Sequence, residues 1–395
     1  MKTFVEIHAL QNFAPSNLNR DDTGAPKDAL FGGSRRARIS SQCIKRAIRQ
    51  HFKEFALREG MTADDIASRT KRLLDALIKE LQKKGHTKDE AEAKTRLALE
   101  MIGFVMKEDG KTEYLLFLGQ REISAVAEII HDKWDAIVTS KAVQAEGKKT
   151  SKTKKQTPQG ADSELKNALK EVFDGGKAVD VALFGRMLAD MPEKNQDAAC
   201  QVAHAISTHA VEREFDFYTA VDDLKPDDTA GADMMGTVEF NSACFYRYAV
   251  VDWEKLVKNL QDDAELAAKG LHAFLKGFTV AMPTGKQNTF AAHNPPELVV
   301  ISVRRDTAPR NLANAFETAV RVKRDESITL VSAERLNAKE AALNKLYGTS
   351  PNSHYAVVED LFGEKYSARG LGEKEESITA LIQWAVSEIS EKKEA

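Results

Sequence analysis

The segment 17–49 concentrates positive charge of a kind that binds phosphate groups. It holds eight basic and three acidic residues, a local balance of +5 in a chain whose net charge is −3. Arg grips phosphate through paired hydrogen bonds, Lys adds a point charge, and the amino end of a helix offers free N–H groups. The pair Gly32-Gly33 would let backbone approach a ligand closely. A solvated basic helix face is the alternative. The basic residues are Arg20, Lys27, Arg35, Arg36, Arg38, Lys45, Arg46 and Arg49.

The segment 214–223 (EFDFYTAVDD) carries aromatic side chains that suit contact with bases. Exposed Phe or Tyr rings stack on nucleobases or wedge between them, whatever the base. Phe217 and Tyr218 are the candidates. The alternative is an ordinary strand whose aromatic residues face a core, and the alternation alone does not exclude it.

The patterns of common catalytic and metal sites are missing. The segment 282–288 (MPTGKQN) resembles a phosphate loop, but Val280 replaces its first glycine and Gln287 replaces its Ser or Thr. The chain has no HExxH, GxSxG or dinucleotide motif, and its three cysteines form no CxxC pair. On a helix, His204 and His209 would point about 140° apart, which is poor geometry for one metal. We therefore predict no catalytic residue, no metal and no cofactor.

Hydrophobic periodicity predicts the elements that position these residues. Residues 3–10 alternate as in a half-buried strand, whereas 12–33 has the breakers of a loop. Ser40 or Ser41 is a helix N-cap, and the helix to Phe55 has an apolar face and a basic face. Further helices are predicted within 62–134 and at 163–173, 198–212, 264–278, 332–346 and 378–389. Further strands are predicted at 178–183, 215–221, 237–251 and 298–303.

This order of elements predicts an α+β fold with a helical insertion near 60–180 and a smaller insertion near 210–236. Residues 144–161 are Lys-rich and predicted to be disordered, and 225–236 is a predicted loop. No 18-residue apolar run and no signal-peptide pattern is present, so we expect a cytoplasmic protein without a membrane segment.

Taken together, these segments resemble the CasC family, the backbone subunit of the type I-E CRISPR Cascade complex. The resemblance rests on NLNRDD at 17–22, KDALFGG at 27–33, RRARISSQ at 35–42, KRAIR at 45–49, FGRM at 184–187, AHAISTH at 203–209, DFYTAVDD at 216–223, EFNSACFYRY at 239–248 and PTGKQN at 283–288.

The resemblance implies a hand-like α+β fold. A palm like an RNA-recognition-motif (ferredoxin-like) sheet would comprise 1–59, 181–209 and 237–395. Helical fingers would occupy 60–180, with the Lys-rich loop at 144–161, and a thumb hairpin would occupy 210–236. Copies would stack in a helical filament along one guide RNA, and each thumb would turn out one base at a regular interval.

The resemblance also implies partners and site residues. The partners would be the guide RNA, target DNA through the guide heteroduplex, copies of the chain, and the large, small, 5′-handle-binding and RNA-processing subunits. The chain would not be an enzyme. Residues against bases at the kink would be Met187, Phe217 and Tyr218. RNA-binding residues would be Arg20, Lys27, Arg35, Arg36, Arg38, Ser40, Gln42, Lys45, Arg46, Arg49, Lys286 and Gln287.

Two other functions compete with this interpretation. A metal-independent CRISPR endoribonuclease would use His204, His209 and Tyr218 as acid and base. A filament protein that needs no RNA is disfavoured because its stacked positive charge would lack an anion. Distantly similar backbone subunits of type III complexes cut RNA with a loop Asp. We interpret the acids of the present loop as ion-pair partners of nearby arginines; they are Asp21, Asp22 and Asp28.

Overall fold

The computed structural model describes residues 2–55, 60–137, 159–220, 234–364 and 366–390. The chain forms two compact units. The sheet unit comprises Met1–Phe55, Cys200–Glu254 and Leu271–Ala395, and the helical unit comprises Ala56–Ala199 and Lys255–Gly270. Residues 181–199 and 255–270 thus group with the predicted helical insertion. The predicted α+β class is confirmed, whereas the likeness to an RNA-recognition motif stays a prediction.

A mainly antiparallel sheet organises the sheet unit. Its strands follow the order β12-β11-β10-β1-β9-β7-β3-β2, and β6 and β8 also pair with β9; β4 and β5 pair with each other in the helical unit. The strands are β1 (Thr3–Ser16), β2 (Asp28–Phe31), β3 (Ser34–Ile39), β4 (Ala67–Thr70), β5 (Leu116–Gly119), β6 (Cys200–Val202), β7 (Ala205–Ser207), β8 (Glu214–Ala220), β9 (Met234–Asp252), β10 (Leu298–Arg305), β11 (Asn352–Val357) and β12 (Glu373–Lys374).

Helices cover the sheet and build the helical unit. In the sheet unit, α8 packs against α1 where Gly277 meets Ile48, and Leu336 of α10 joins a core with Leu10 of β1. The helices are α1 (Ser41–Phe55), α2 (Leu73–Lys83), α3 (Lys88–Met101), α4 (Gln120–Asp132), α5 (Gln159–Glu171), α6 (Val179–Phe184), α7 (Trp253–Asn259), α8 (Ala264–Val280), α9 (Gln287–Phe290), α10 (Ile328–Tyr347), α11 (Glu359–Phe362) and α12 (Ile378–Ser390).

The strand β1 is longer and more deeply buried than predicted. It reaches Ser16 and lies between β9 and β10, so both of its edges are hydrogen-bonded. Glu6 and His8 are buried rather than solvent-facing. Glu6 forms a buried ion pair with Arg304, whose Nη2 lies 2.7 Å from Glu340, and Tyr248 donates to Glu6 at 2.8 Å. Paired in this way, charged side chains are tolerated in the buried layer between the sheet and α10.

Other element predictions are wrong. The predicted helix 198–212 is the strand pair β6 and β7, because its residues pair with β9. The predicted strand 178–183 is the helix α6. The predicted loop 12–33 contains the end of β1 and all of β2, and residues 234–236 of the predicted loop 225–236 belong to β9. The remainder of that loop, 225–233, lies outside the described residues.

The helical unit has its own hydrophobic core. Helices α2–α5 contribute side chains such as Leu77, Leu99, Val126 and Leu169, with Phe173 just beyond α5. The Lys-rich segment lies outside the described residues up to 158, whereas residues 159–161, predicted as disordered, begin α5. In the described ranges, no helix is long and apolar enough to cross a lipid bilayer.

Candidate nucleic-acid interface

The amino end of α1 is built as predicted. Cys43 N donates to Ser40 Oγ at 3.3 Å, which identifies Ser40 as the N-cap. The buried apolar face of the helix includes Ile44, Ile48 and Phe52. The residues of the predicted basic face are exposed or half-buried; they are Lys45, Arg46, Arg49 and Lys53. Because Ser40 is buried and caps the helix, its hydroxyl has a structural use, while the predicted RNA contact Gln42 is exposed.

An open cavity of about 550 Å³ lies beside α1 in the sheet unit. Arg20 from the loop after β1 and Arg46 from α1 line it together with Thr284. The Arg46 guanidinium donates to Gln50 Oε1 at 3.2 Å and to Thr284 Oγ1 at 3.5 Å. Three chain segments thus converge on what we call the basic cavity. Its other lining residues are Leu18, Asn19, Asp21, Asp22, Thr23, Gly24, Cys43, Ala47, Gln50, Pro283 and Gly285. The name refers to its two arginines, which stand beside the two acids Asp21 and Asp22.

The turn 283–287 forms one wall of the basic cavity and presses on the loop after β1. A Cβ on Gly285 would lie 2.2 Å from Leu18 O, so only glycine fits this position. Lys286 is half-buried and adopts a left-handed backbone with φ 49°. Gln287 was predicted to contact RNA, but its Nε2 donates to Pro283 O at 2.9 Å and to Ala292 O at 3.1 Å. The Gln287 amide therefore holds the turn in shape.

Replacing Gly285 by Ala is expected to destabilise the sheet unit and deform the basic cavity. The added methyl would collide with the Leu18 carbonyl, and overpacking of this kind costs about 1–3 kcal/mol. Urea unfolding and RNA binding measure the two effects. Asn288→Ala is the matched control, since it changes an exposed residue just beyond the same turn and outside the cavity lining. A Gly285→Ala protein as stable as the wild type, with unchanged RNA affinity, would show that the turn does not shape the site.

The structure corrects the prediction that Arg36 contacts RNA. Its side chain is fully buried and cannot meet a phosphate. Its Nη1 donates to Ser207 O at 3.1 Å and Thr208 O at 2.9 Å, and its Nη2 donates to Phe316 O at 2.9 Å and Glu317 O at 3.2 Å. The guanidinium therefore joins β7 to the segment after residue 315.

The glycine pair also has a different use from the one predicted. Gly32 lies against backbone of its own chain, because a Cβ there would be 1.6 Å from Glu317 O. Gly33 has φ 74° and open space around it, as a tight turn between β2 and β3 requires. The turn therefore docks the β2–β3 hairpin onto the chain, next to the carbonyls that hold Arg36.

Basic side chains also lie around β3, outside the basic cavity. Arg38 Nη1 is 3.0 Å from His204 Nδ1, and Arg38 Nε donates to Asp28 O at 3.0 Å. Partial burial, together with the charges of Arg38 and Lys27, lowers the pKa of His204. His204 is therefore mainly neutral at pH 7, and its ring is exposed.

His209, one of the residues that the competing endoribonuclease would use, is hydrogen-bonded to backbone. His209 Nε2 accepts a hydrogen bond from Cys244 N at 3.3 Å, and its Nδ1 donates to Ala210 O at 2.8 Å. Both nitrogens of His209 are thus occupied by backbone. Among the described residues, no group of three or more His, Cys, Asp or Glu is placed to hold a metal ion.

The acids of the basic loop have different partners. Asp28 Oδ2 is 2.5 Å from Arg35 Nη1 and 2.7 Å from Arg213 Nη2, which confirms it as an ion-pair partner. Partial burial opposes the change, but the hydrogen bonds from Arg35 and Arg213 lower the pKa of Asp28. Asp21 instead accepts from Thr23 Oγ1 at 2.7 Å and from two backbone N–H groups, so it shapes a turn.

Sequence reasoning missed Arg213. The residue stands directly before β8 between Glu212 and Glu214, in a gap between two recognised motifs. Its only sequence signal is a lone cation next to the aromatic segment. Its Nη1 lies 3.0 Å from Glu239 Oε2 of β9, in addition to its bond with Asp28.

The aromatic segment is exposed rather than turned to a core. Strand β8 pairs with residues 234–240 of β9, and we call this pair the ribbon. Phe215, Phe217 and Met235 are 66%, 64% and 67% exposed. Because Phe217 is opposite Thr237 and Thr219 is opposite Met235, these three side chains share one side of the ribbon. We call this side the ribbon face.

Tyr218 points to the other side of the ribbon. Its ring lies across Gly236, where a Cβ would be 2.4 Å from the Tyr218 hydroxyl. Phe217 is therefore the more exposed ring of the pair Phe217-Tyr218, at 64% against 45%. In the helical unit, the third predicted wedge residue, Met187, is 76% exposed.

Comparisons with known proteins identify the family to which the chain belongs. Residues 5–384 match the family model Cas_CT1975, CT1975-like protein. A chain of a solved "CRISPR RNA-guided surveillance complex, pre-nicking" is 35% identical with a TM-score of 0.81, and the match covers 98% of this chain and 99% of that chain. A chain of a second "CRISPR RNA-guided surveillance complex" is 31% identical with a TM-score of 0.71, with the same coverage. The comparison with curated proteins finds no match. The motifs predicted the family correctly: the chain belongs to the CT1975-like family of Cas proteins.

Proposed function

We propose that this chain is an RNA-binding backbone subunit of a CRISPR RNA-guided surveillance complex, with copies arranged along one guide RNA. The observation that carries the proposal is the convergence of Arg20, Arg46 and the turn at Thr284 on one open cavity. Phosphate contacts of this kind fix a nucleic acid in place without reading its sequence. The match over 98% of the chain to a subunit of such a complex supports the proposal.

The basic cavity and the ribbon face have different roles in this proposal. The basic cavity and the exposed side of α1 hold guide phosphates, with Arg35, 54% exposed at its side chain, as a further contact. The ribbon face wedges against bases at a regular interval, and Phe217 is its central ring. Pairing of the remaining bases reads the target, as in other RNA-guided complexes.

The proposed role is non-catalytic. Both His209 nitrogens bind backbone, and Asp28 is held as an anion by two arginines. A group so engaged is poorly placed to take a proton from an RNA hydroxyl. The competing endoribonuclease would have to use His204 or Tyr218, which lie next to Arg38 and Gly236 respectively.

The partners follow from this role. We propose the guide RNA, target DNA through the guide heteroduplex, copies of the chain in a helical filament, and the other subunits of a type I-E complex, in the cytoplasm. In this proposal the sheet unit acts as the RNA-recognition-motif-like palm, the ribbon as the thumb, and the helical unit as the fingers.

The test is nuclease protection of guide RNA in the complex purified after co-expression with the neighbouring subunits. The wild type is expected to protect RNA with a short, regular interval. Arg20→Glu with Arg46→Glu is expected to lower RNA affinity at least about tenfold, since each reversed charge opposes a phosphate. The remaining affinity should fall less steeply with salt, because fewer phosphate contacts release fewer counterions.

The control changes equal charge elsewhere on the sheet unit. Lys323→Glu with Lys345→Glu replaces two exposed lysines outside the basic cavity and should keep the protection pattern. Protection without an interval would reduce the role to nonspecific binding. RNA cut at a defined position by the chain alone would favour the endoribonuclease.

A further inference from the structure

Arg213 joins three separate segments at the base of the ribbon. Its Nη2 binds Asp28 at the start of β2, and its Nη1 binds Glu239 in β9, at 2.7 and 3.0 Å. Glu239 is directly opposite Phe215, so it lies on the side of the ribbon that carries the ribbon face. The guanidinium therefore ties that side of the ribbon to the β2–β3 hairpin.

The ribbon needs such an attachment because its base has few other supports in the described residues. Val211 N donates to Arg35 O at 3.0 Å, and Asn17 Nδ2 donates to Glu239 O at 2.9 Å. Strand β9 pairs with β1 from Asn241 onward, whereas residues 234–240 pair with β8. All seven residues of β8 are exposed. A two-stranded ribbon is marginally stable and strongly twisted by itself, so its direction is set at its base.

The base is held from both sides. On the side opposite the ribbon face, the Phe240 and Phe290 rings pack with centroids 5.5 Å apart. On the ribbon-face side, the polar attachment runs from Asp28 through Arg213 to Glu239. Arg213 is 30% exposed and Asp28 20% exposed, so water only partly screens this attachment.

The chemistry of the attachment requires Arg. Its planar fork presents two donors in fixed directions, and here each donor meets a different carboxylate. A Lys ammonium at the same place would be a single point of contact. Since both outer nitrogens of Arg213 already bind acids, the residue is better placed to orient the ribbon than to grip a phosphate.

We propose that Arg213 is a positioning residue that fixes the direction of the ribbon, and so fixes where Phe215, Phe217 and Met235 meet the RNA. The attachment itself is a property of the free protein. Its consequence for RNA rests on the function proposed above, and the two parts are tested by separate measurements.

The first measurement is hydrogen exchange of the free protein. Arg213→Ala is expected to speed exchange of the β8 amides about five- to tenfold relative to β1 amides, because local opening of the ribbon becomes easier. Arg213→Lys should fall between Arg213→Ala and the wild type. Arg305→Ala is the matched control: Arg305 is 29% exposed and binds Glu388 through two hydrogen bonds at one end of β10. It should leave β8 exchange unchanged.

The second measurement uses the assembled complex with guide RNAs that carry 2-aminopurine at successive positions. In the wild type, fluorescence should brighten at a regular interval where bases are unstacked. Arg213→Ala should lower that periodic signal at least fivefold while RNA affinity changes less than threefold. A merely destabilising change would lower affinity and signal together.

The possible results distinguish the attachment of the ribbon by Arg213 from its consequence for RNA. Unchanged β8 exchange in Arg213→Ala, or an unchanged periodic signal, would overturn the positioning role. Loss of RNA affinity with unchanged exchange would instead make Arg213 a direct RNA contact and would also overturn it. No periodic signal in the wild-type complex would refute the wedge function and the RNA part of this inference, whereas the exchange data would still decide the attachment.

Discussion

Replacing Arg36 by Met is expected to lower the free energy of unfolding by at least about 3 kcal/mol, because a buried acceptor that loses its donor costs about 1–3 kcal/mol. The four backbone carbonyls that accept from Arg36 would each lose a buried donor. Met keeps much of the side-chain volume, so the expected loss reflects hydrogen bonding rather than a cavity. Urea unfolding measures it, and faster amide exchange in β7 should accompany it.

Arg35→Met is the matched control, because it changes the adjacent arginine of the same strand. Arg35 is 54% exposed at its side chain and pairs with Asp28, and exposed ion pairs are worth about 0–1 kcal/mol. We therefore expect Arg36→Met to lose stability, whereas Arg35→Met should lose RNA affinity. An Arg36→Met protein of normal stability but weakened RNA binding would reinstate Arg36 as a phosphate contact.

Replacing Phe217 by Ala is expected to abolish the regular interval of unstacked bases in the assembled complex. Contact between a base and an aromatic ring is worth about 1–3 kcal/mol, and the loss recurs in every copy along the RNA. Phe217 is 64% exposed, so its removal should hardly change the stability of the free chain. The 2-aminopurine series described above provides the measurement.

Two variants of neighbouring residues test whether the effect is specific to Phe217. Tyr218→Ala removes the ring on the other side of the ribbon and should keep the interval. Phe215→Ala removes a ring on the side of Phe217, nearer the base of the ribbon, and should weaken the interval less than Phe217→Ala does. If Tyr218→Ala erased the interval and Phe217→Ala kept it, the assignment of the two sides would be wrong.

The sequence predicted the elements whose local signals agree with their surroundings. Ser40 caps α1, and the spacing of Ile44 and Ile48 against Arg46 separates the two faces of the helix, as the structure shows. The long strand predicted at 237–251 is β9. These elements could be predicted because capping and periodicity act within a few residues of chain.

The errors came from residues whose place is decided by distant partners. Arg35 and Arg36 are chemically identical, yet one is exposed and the other buried, because the carbonyls of Phe316 and Glu317 reach only Arg36. The strands β6 and β7 look helical by spacing, but pairing with β9 makes them extended. Arg213 has neither motif nor period, and its role depends on acids far along the chain.

The placement of β1 between β9 and β10 has a consequence for biosynthesis. More than 200 residues separate the end of β1 from the start of β9, and β10 follows still later. At synthesis rates of about 5–20 residues per second, β1 waits on the order of ten to forty seconds for its partners. During that time an apolar segment with unsatisfied edges is open to aggregation. We therefore expect the nascent chain to depend on chaperones until β9 has been made, with the helical segment that lies between them folding first.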